Sequence, residues 1–275
     1  MTINIGLKYD KGALLLADGR VISGTEIVKE NECKLYKICE NASVAYAGDA
    51  SGNNQISTLV YAAKICENYF KQLIKKKNTK KLPLLERADI RIVSFTKGID
   101  EGPKNMTLEE LLVDWSGEEI IPEETFRIYK SDLHKKQILL DIGSIGKQFG
   151  KFVTGETSGI IAGMDIKGPR IIQTYTDGFC DERAWTAQGA GGDIVKTYLE
   201  DNYKQTSNFN QALELAIFCG IKSALKELSV NQNFMAVNIT TKNEKVVSEL
   251  VPKKTIEEIT KIYSKRTGIF KPLSK

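Results

Sequence analysis

The order of elements in the chain predicts an α+β protein, a four-layer αββα sandwich of two antiparallel sheets with helices outside. Two observations carry that prediction. Short β-prone runs open the chain, helical periodicity follows, and strands and helices then return in blocks instead of alternating one by one. Tight turns such as Asp10-Lys11-Gly12 and Lys242-Asn243-Glu244 join successive strands, and turns this short connect antiparallel neighbours only.

The elements follow in order. Residues 3–9 and 12–17 are β-prone runs closed by the Asp10-Lys11-Gly12 turn, a hairpin. Strands are predicted over 32–39 (ECKLYKIC) and 42–48 (ASVAYAG), broken at Glu40-Asn41. Ile56, Leu59, Val60, Ala63, Cys66, Phe70 and Leu73 then recur at helical spacing, an amphipathic helix of about six turns. Between 76 and 157 the pattern is weaker. It supports a strand near 89–95 and a short helix opened by the capping box Thr107-x-x-Glu110. GIIAGMD at 159–165 is a strand, followed by a Lys167-Gly168-Pro169 turn and a strand over 170–175. GAGG at 189–192 opens a helix to about 203. A second helix covers about 209–228, strands at 233–241 and 245–250 flank Lys242-Asn243-Glu244, and a last helix starts at the capping box Thr255-x-x-Glu258. There is no internal repeat and no low-complexity linker, so the chain is expected to be one domain, 2–275, with an insertion at roughly 80–150.

Composition narrows the function. The 275 residues are 41% hydrophobic and 27% charged, as in a soluble globular protein. A net charge of +4 is small for this length, and the KKKNTKK run at 75–81 reads as a solvated helix end, so no nucleic-acid partner is expected. The five cysteines (Cys33, Cys39, Cys66, Cys180, Cys219) have no CxxC spacing, and His134 is the only histidine. That argues against a disulfide framework and against a Cys/His zinc site. A histidine-based triad would have to use His134, which lies in the polar stretch KSDLHKKQ. No apolar run reaches the ~18–20 residues of a membrane span, and no signal-peptide pattern opens the chain, so no membrane partner and a cytoplasmic location are expected.

Thr2 follows the initiator methionine directly. Its side chain is small enough for methionine aminopeptidase to remove Met1, which would leave a hydroxyl nucleophile and a free α-amine base on one residue. Thr2, Gly6, ADGR at 17–20, Lys34, AYAGDA at 45–50 and the helix after it resemble a proteasome β-subunit, without a gap from Thr2 to Asp49. The resemblance resumes at GIIAGMDIKGP, continues through QGAGGDIVKTYLEDNY, and runs to the final helix, about two thirds of the chain. The family belongs to the N-terminal nucleophile hydrolases, whose fold is the αββα sandwich. The helical N-terminal extension of the family's non-catalytic α-subunits is not found before Thr2, and neither is a long propeptide.

The resemblance implies a peptide-cleaving enzyme that works through an acyl-enzyme intermediate on peptide or protein substrates. Thr2 takes the place of the nucleophile, Asp18 and Lys34 of its charged helpers, and Gly48 of the oxyanion-binding glycine. The chemistry is coherent. An α-amine with an ordinary pKa of ~7.7–8.0 is a well-tuned base. A lysine cation beside it disfavours its protonation and stabilises developing alkoxide, while Asp18 balances the lysine. A backbone N–H from Gly48 at the oxyanion is worth about 3–4 kcal/mol. Taken without the family, Asp18 with Arg20 also fits a turn ion pair, and Lys34 an edge lysine.

The positions implied for the specificity pocket are Val21, Glu32, Tyr36, Tyr46 and Ala50. The two tyrosines would narrow it, and Glu32 would favour a basic side chain if it faces inward instead of solvent. The chain departs from the family around the α-amine. Ala190 stands where a serine is usual, and the supporting Asp-x-x-Ser pair falls on Glu227 and Val230, with Ser229 one place away. Two other outcomes stay open: a transpeptidase that resolves the same acyl-enzyme with an amine, and a catalytically silent scaffold or ring subunit. No metal, nucleotide or organic cofactor is implied; homo-oligomer or ring partners are. The insertion would serve as a ring contact, a substrate clamp or a block to assembly.

Overall fold

A computed structural model of the chain describes residues 2–23, 26–48, 60, 63, 88–91, 125–131, 133–135, 137–152, 157–205, 207–266 and 270–273. β1 (Ile3–Tyr9) and β2 (Gly12–Asp18) form the expected hairpin. The short β3 (Val21–Ser23) and β4 (Glu26–Lys29) follow as a second hairpin that sequence pattern missed, because β4 is exposed along its whole length and shows no alternation. β5 is Leu35–Cys39, three residues shorter than expected, so Glu32 and Lys34 precede the ladder; β6 is Ala42–Ala47. β7 (Ala88–Arg91), β8 (Thr125–Lys130) and β9 (Ile138–Leu140) make a small antiparallel sheet, followed by α1 (Ile142–Phe152).

β10 (Ser158–Asp165) and β11 (Gly168–Thr174) turn at Ile166-Lys167, so the expected turn residues Gly168 and Pro169 belong to the strand. β12 (Cys180–Arg183) pairs only with Ile171–Thr174, which leaves Pro169 on an open edge where proline is tolerated. β13 (Trp185–Gly189) leads into α2 (Gly192–Asn202), and α3 (Phe209–Ala224) follows. α3 opens with an Asn208/Gln211 capping box that satisfies two orphan donors reciprocally. β14 (Phe234–Lys242) and β15 (Lys245–Leu250) turn through Asn243 and Glu244, both at positive φ. α4 spans Lys253–Ser264 and begins two residues before Thr255. The expected capping box does not form, because Pro252 at φ −54° already sets the helical entry. Val60 and Ala63 are helical, and Ala63 is fully buried. The rest of the helix expected over 56–73, and the Thr107 helix, lie outside the described residues.

One sheet has the order β13-β1-β2-β14-β15 and the other β12-β11-β10-β6-β5, all antiparallel. Strand periodicity sorts their side chains into layers. Ile3, Ile5, Leu7, Leu14 and Leu16 face outward onto α2, α3 and α4. Val44, Ile161 and Ile172 face the other way onto Ile142, Ile145 and Phe149 of α1. Ala13, Leu15, Ala17, Ile160 and Ile171 fill the space between the sheets. The result is the four-layer sandwich. Gly6 permits the close approach of its halves, since a β-carbon there would lie 2.7 Å from Ile160 Cγ2. No helix among the described residues is long and apolar enough to cross a membrane.

Candidate active site

The ends of β1 and β2 and the segment before β5 converge at one end of the sandwich. β1 and β2 are neighbours with Asn4 opposite Ala17, which brings Thr2 beside Asp18. The Thr2 hydroxyl donates to Asp18 Oδ1 and accepts from Lys34 Nζ. Lys34 Nζ also reaches Asp18 Oδ1 at 3.2 Å and donates to the Arg20 carbonyl. All three side chains are buried. Burial pushes the Lys34 ammonium below its ordinary pKa, and the Asp18 charge opposes that shift.

Asp18 is held by more than the lysine. Ile3 N–H donates to Oδ1 at 2.9 Å, and the N–H groups of Arg20 and Asn231 donate to Oδ2 at 3.1 and 3.3 Å. Gly48 directly follows β6 at φ +138°, a conformation that favours glycine.

Arg20 does not form the turn ion pair with Asp18. Its guanidinium runs instead to Glu30, at 3.1 Å, and to the Leu228 carbonyl. Glu30 and Asn231 are the members of the site that sequence reasoning missed. Asn231 accepts from Gly19 N–H at 3.3 Å and donates to the Glu30 carbonyl at 2.9 Å, so it ties the turn after Asp18 to the β3–β4 hairpin. Asn231 and Arg20 hold the Glu30 carboxyl below its ordinary range. The one sequence signal at Asn231 is an asparagine pair flanking Gln232 just before β14, and that pattern is common to many turns.

The remaining predicted residues are spread more widely. Tyr36 and Tyr46 pack together with ring centroids 5.7 Å apart, against the core on the α1 side of the second sheet. Burial raises the Tyr36 hydroxyl pKa. Glu32 is half-buried, but its carboxylate pairs at 2.7 Å with the exposed Lys29, which neutralises much of the acidic character expected of the pocket. Val21 is half-buried at the start of β3; Ala50 lies outside the described residues. Ala190 is exposed in the turn before α2. Val230 enters the helix-side core, and Ser229 donates to Glu227 at 2.8 Å, so neither restores the missing serine beside Thr2. Ser229 holds the Glu227 carboxyl below its ordinary range.

A sandwich of two five-stranded antiparallel sheets between helix layers, with a threonine at the start of its first strand, is the architecture expected of a proteasome-type subunit. The proteasome subunit family matches residues 2–82 and 147–240, and the chain belongs to that family. Among known relatives it is 24% identical over 236 residues to the proteasome subunit alpha of Methanopyrus kandleri, covering 86% of this chain and 73% of that protein. It is 25% identical over 161 residues to the protein of the same name from Picrophilus torridus, covering 58% and 64%. With that of Methanococcus vannielii it shares 30% over 106 residues, 38% of each chain. The matched stretch thus spans less than two thirds of the Picrophilus protein and a smaller share of the Methanococcus one. These relatives are named α-subunits, not the β type that the residues around Thr2 led us to expect.

Proposed function

We propose that this proteasome-family subunit is a threonine-type amidohydrolase of the β kind, with Thr2 as nucleophile. The observation that carries the reading is the Thr2 hydroxyl held between Lys34 Nζ and Asp18 Oδ1. With Met1 removed, the α-amine of Thr2 takes the hydroxyl proton while Oγ1 attacks the carbonyl carbon of a peptide bond. Lys34 supplies positive charge beside the developing alkoxide, and the Gly48 N–H serves the oxyanion. The C–N bond then breaks, the departing amine takes the proton, and water resolves the ester on Thr2. Asp18 is the counter-charge that keeps Lys34 protonated despite its burial. Val21, Tyr36 and Tyr46 form the acyl-side pocket. The domain is 2–275, with an insertion between the two family-matched stretches, and its partners are peptide substrates and ring neighbours in the cytoplasm.

A second reading, a silent ring subunit, draws on two observations. The relatives carry the name of the family's non-catalytic branch, and Ala190 and Val230 replace the polar groups that would support the α-amine. One experiment separates the two. Intact mass of the purified chain is measured before and after a threonine-directed electrophile, with turnover of a peptide library alongside. Loss of Met1, a single adduct and turnover are expected; the adduct and the turnover are abolished in Thr2→Ala and partly kept in Thr2→Ser, while Met1 is lost in all three. Lys34→Ala should lose more rate than Lys34→Arg, whose forked, permanently charged group restores only part of it. An unlabelled chain that retains Met1 would establish the scaffold.

A further inference from the structure

The residue that must carry the free α-amine is enclosed by the fold. Thr2 is only 3% exposed, and Ile3 is fully buried. Asp18 and Lys34 hold the Thr2 hydroxyl, and Ile3 N–H donates to Asp18 Oδ1 at 2.9 Å. On the other side Ile3 pairs with Gly189 of β13. That backbone lies so close that a β-carbon on Gly189 would be 2.0 Å from the Thr2 carbonyl oxygen. β1 is also an inner strand, between β13 and β2. Drawing Thr2 out of the fold therefore breaks its hydrogen bonds to Asp18 and Lys34 and the first rung of the β1–β13 pairing.

The Met1–Thr2 bond is consequently a different substrate before and after folding. An aminopeptidase must reach the carbonyl carbon of the first residue and the nitrogen of the second. In the unfolded chain both are open to it. In the folded chain that nitrogen belongs to a buried residue, and access requires local opening at the start of β1. Self-cleavage by Thr2 Oγ1 lacks the base of the mature site. Until the bond is cut, the Thr2 nitrogen is an amide whose lone pair is shared with the Met1 carbonyl. Ala190 and Val230 carry no side-chain acceptor, and the Ser229 hydroxyl is committed to Glu227 at 2.8 Å.

We propose that Met1 is removed before the chain folds, by a methionine aminopeptidase acting on the unfolded or nascent chain, and that a chain which folds first keeps its Thr2 nitrogen capped. The reaction is a hydrolysis. The Met1–Thr2 C–N bond breaks, a water hydroxyl goes to the Met1 carbonyl carbon, and the remaining water proton goes to the Thr2 nitrogen. The products are free methionine and a free α-amine, which folding then carries into the site beside Lys34. The order of events follows from the enclosure of Thr2 alone. That the freed amine serves as a base rests on Thr2 being the nucleophile. An aminopeptidase that meets the chain during its synthesis satisfies this order, so the protein purified from cells is expected without Met1.

The test is one of order of addition. The full-length chain is made by cell-free translation in a reconstituted system without an aminopeptidase. Purified methionine aminopeptidase is either present from the start or added after the chain has been released and has folded. A peptide of residues 1–6, Met-Thr-Ile-Asn-Ile-Gly, is the unfolded control. Intact mass reads the loss of Met1. Complete loss is expected when the enzyme is present from the start. When it is added late, loss should be at least tenfold slower than from the peptide, since cleavage then tracks the population of the opened form. Late trimming as fast as that of the peptide overturns the proposal, as does retention of Met1 in both arms or in the peptide. Loss of Met1 with no enzyme added, in the parent but not in Thr2→Ala, overturns it in favour of self-cleavage. Both products then meet a threonine-directed electrophile, which is expected to label only the early-trimmed chain. The expected masses with no labelling of either product defeat the hydrolase and keep the order. Equal trimming with both products labelled overturns the order and leaves the hydrolase standing.

Discussion

At the scale of single residues, Asp18 anchors the site. Its two carboxylate oxygens accept from the Thr2 hydroxyl, Lys34 and three backbone N–H groups. Asp18→Asn keeps the shape but substitutes an NH2 group for one oxygen, and either orientation of the amide sets donors against donors. The change also leaves the Lys34 cation buried without its counter-charge. Breaking a buried pair from one side costs about 3–5 kcal/mol, so Asp18→Asn should lower unfolding free energy in urea by about 3 kcal/mol. An unchanged midpoint would mean that the donor cage does not depend on the charge. Asn231 acts one step further out, through Gly19 and Glu30, and holds the turn that carries Asp18.

At the scale of elements, the sandwich depends on how closely β1 approaches the second sheet and on an ion-pair staple at its rim. Gly6 faces Ile160 and Ile171 across the interface, where a β-carbon would lie 2.7 and 3.1 Å from their methyl groups. Both isoleucines are fully buried and have little room to retreat. Gly6→Ala should therefore destabilise the fold by about 1–3 kcal/mol, measurable by the same urea unfolding. At the rim, Glu182 on β12 joins Arg170 on β11 at 2.7 Å and Lys8 on β1 at 2.9 Å, bridging the two sheets. Arg170, then Lys8, pull the Glu182 carboxyl down to about 2 from an ordinary 4.5, against the opposing effect of burial. The folded form thus holds its proton less tightly than the unfolded form does. That stabilisation is complete above pH 4.5 and is lost as pH falls toward 2. A plot of melting temperature against pH should drop less steeply between these values in Glu182→Gln than in the parent; parallel curves would remove Glu182 from the acid response.

At the scale of the whole molecule, family membership makes head-to-tail association with other subunits the expected behaviour, and native mass spectrometry should give an assembly heavier than the 30.6 kDa chain. The role of the insertion is testable because β7 and β8 pair antiparallel with Arg91 opposite Thr125. A two-residue turn in place of 92–124 therefore joins the strands without disturbing α1, whose Ile142, Ile145 and Phe149 belong to the core. A deletion reaching 150 would remove that helix. The shortened chain should assemble with a different stoichiometry, and an identical assembly would take 92–124 out of ring formation.

Much of this protein is legible in its sequence alone. Period-two runs and tight turns specify the β1–β2 and β14–β15 hairpins, and helical spacing specifies α2 and α3, because these signals act between residues close in the chain. Thr2, Asp18 and Lys34 were identified by their spacing in a family pattern, and the structure brings all three into contact. Other features are decided only by tertiary contact. β3, β4 and β12 are short edge elements whose residues carry no alternation, so only pairing reveals them. Asn231 meets Asp18 across 213 positions, Glu32 is neutralised by Lys29, and Val230 goes into the core. Local pattern records which face of an element is apolar. Which polar groups end up buried, paired or left without a partner is set when distant segments pack, since each group's cost depends on the neighbours that packing supplies.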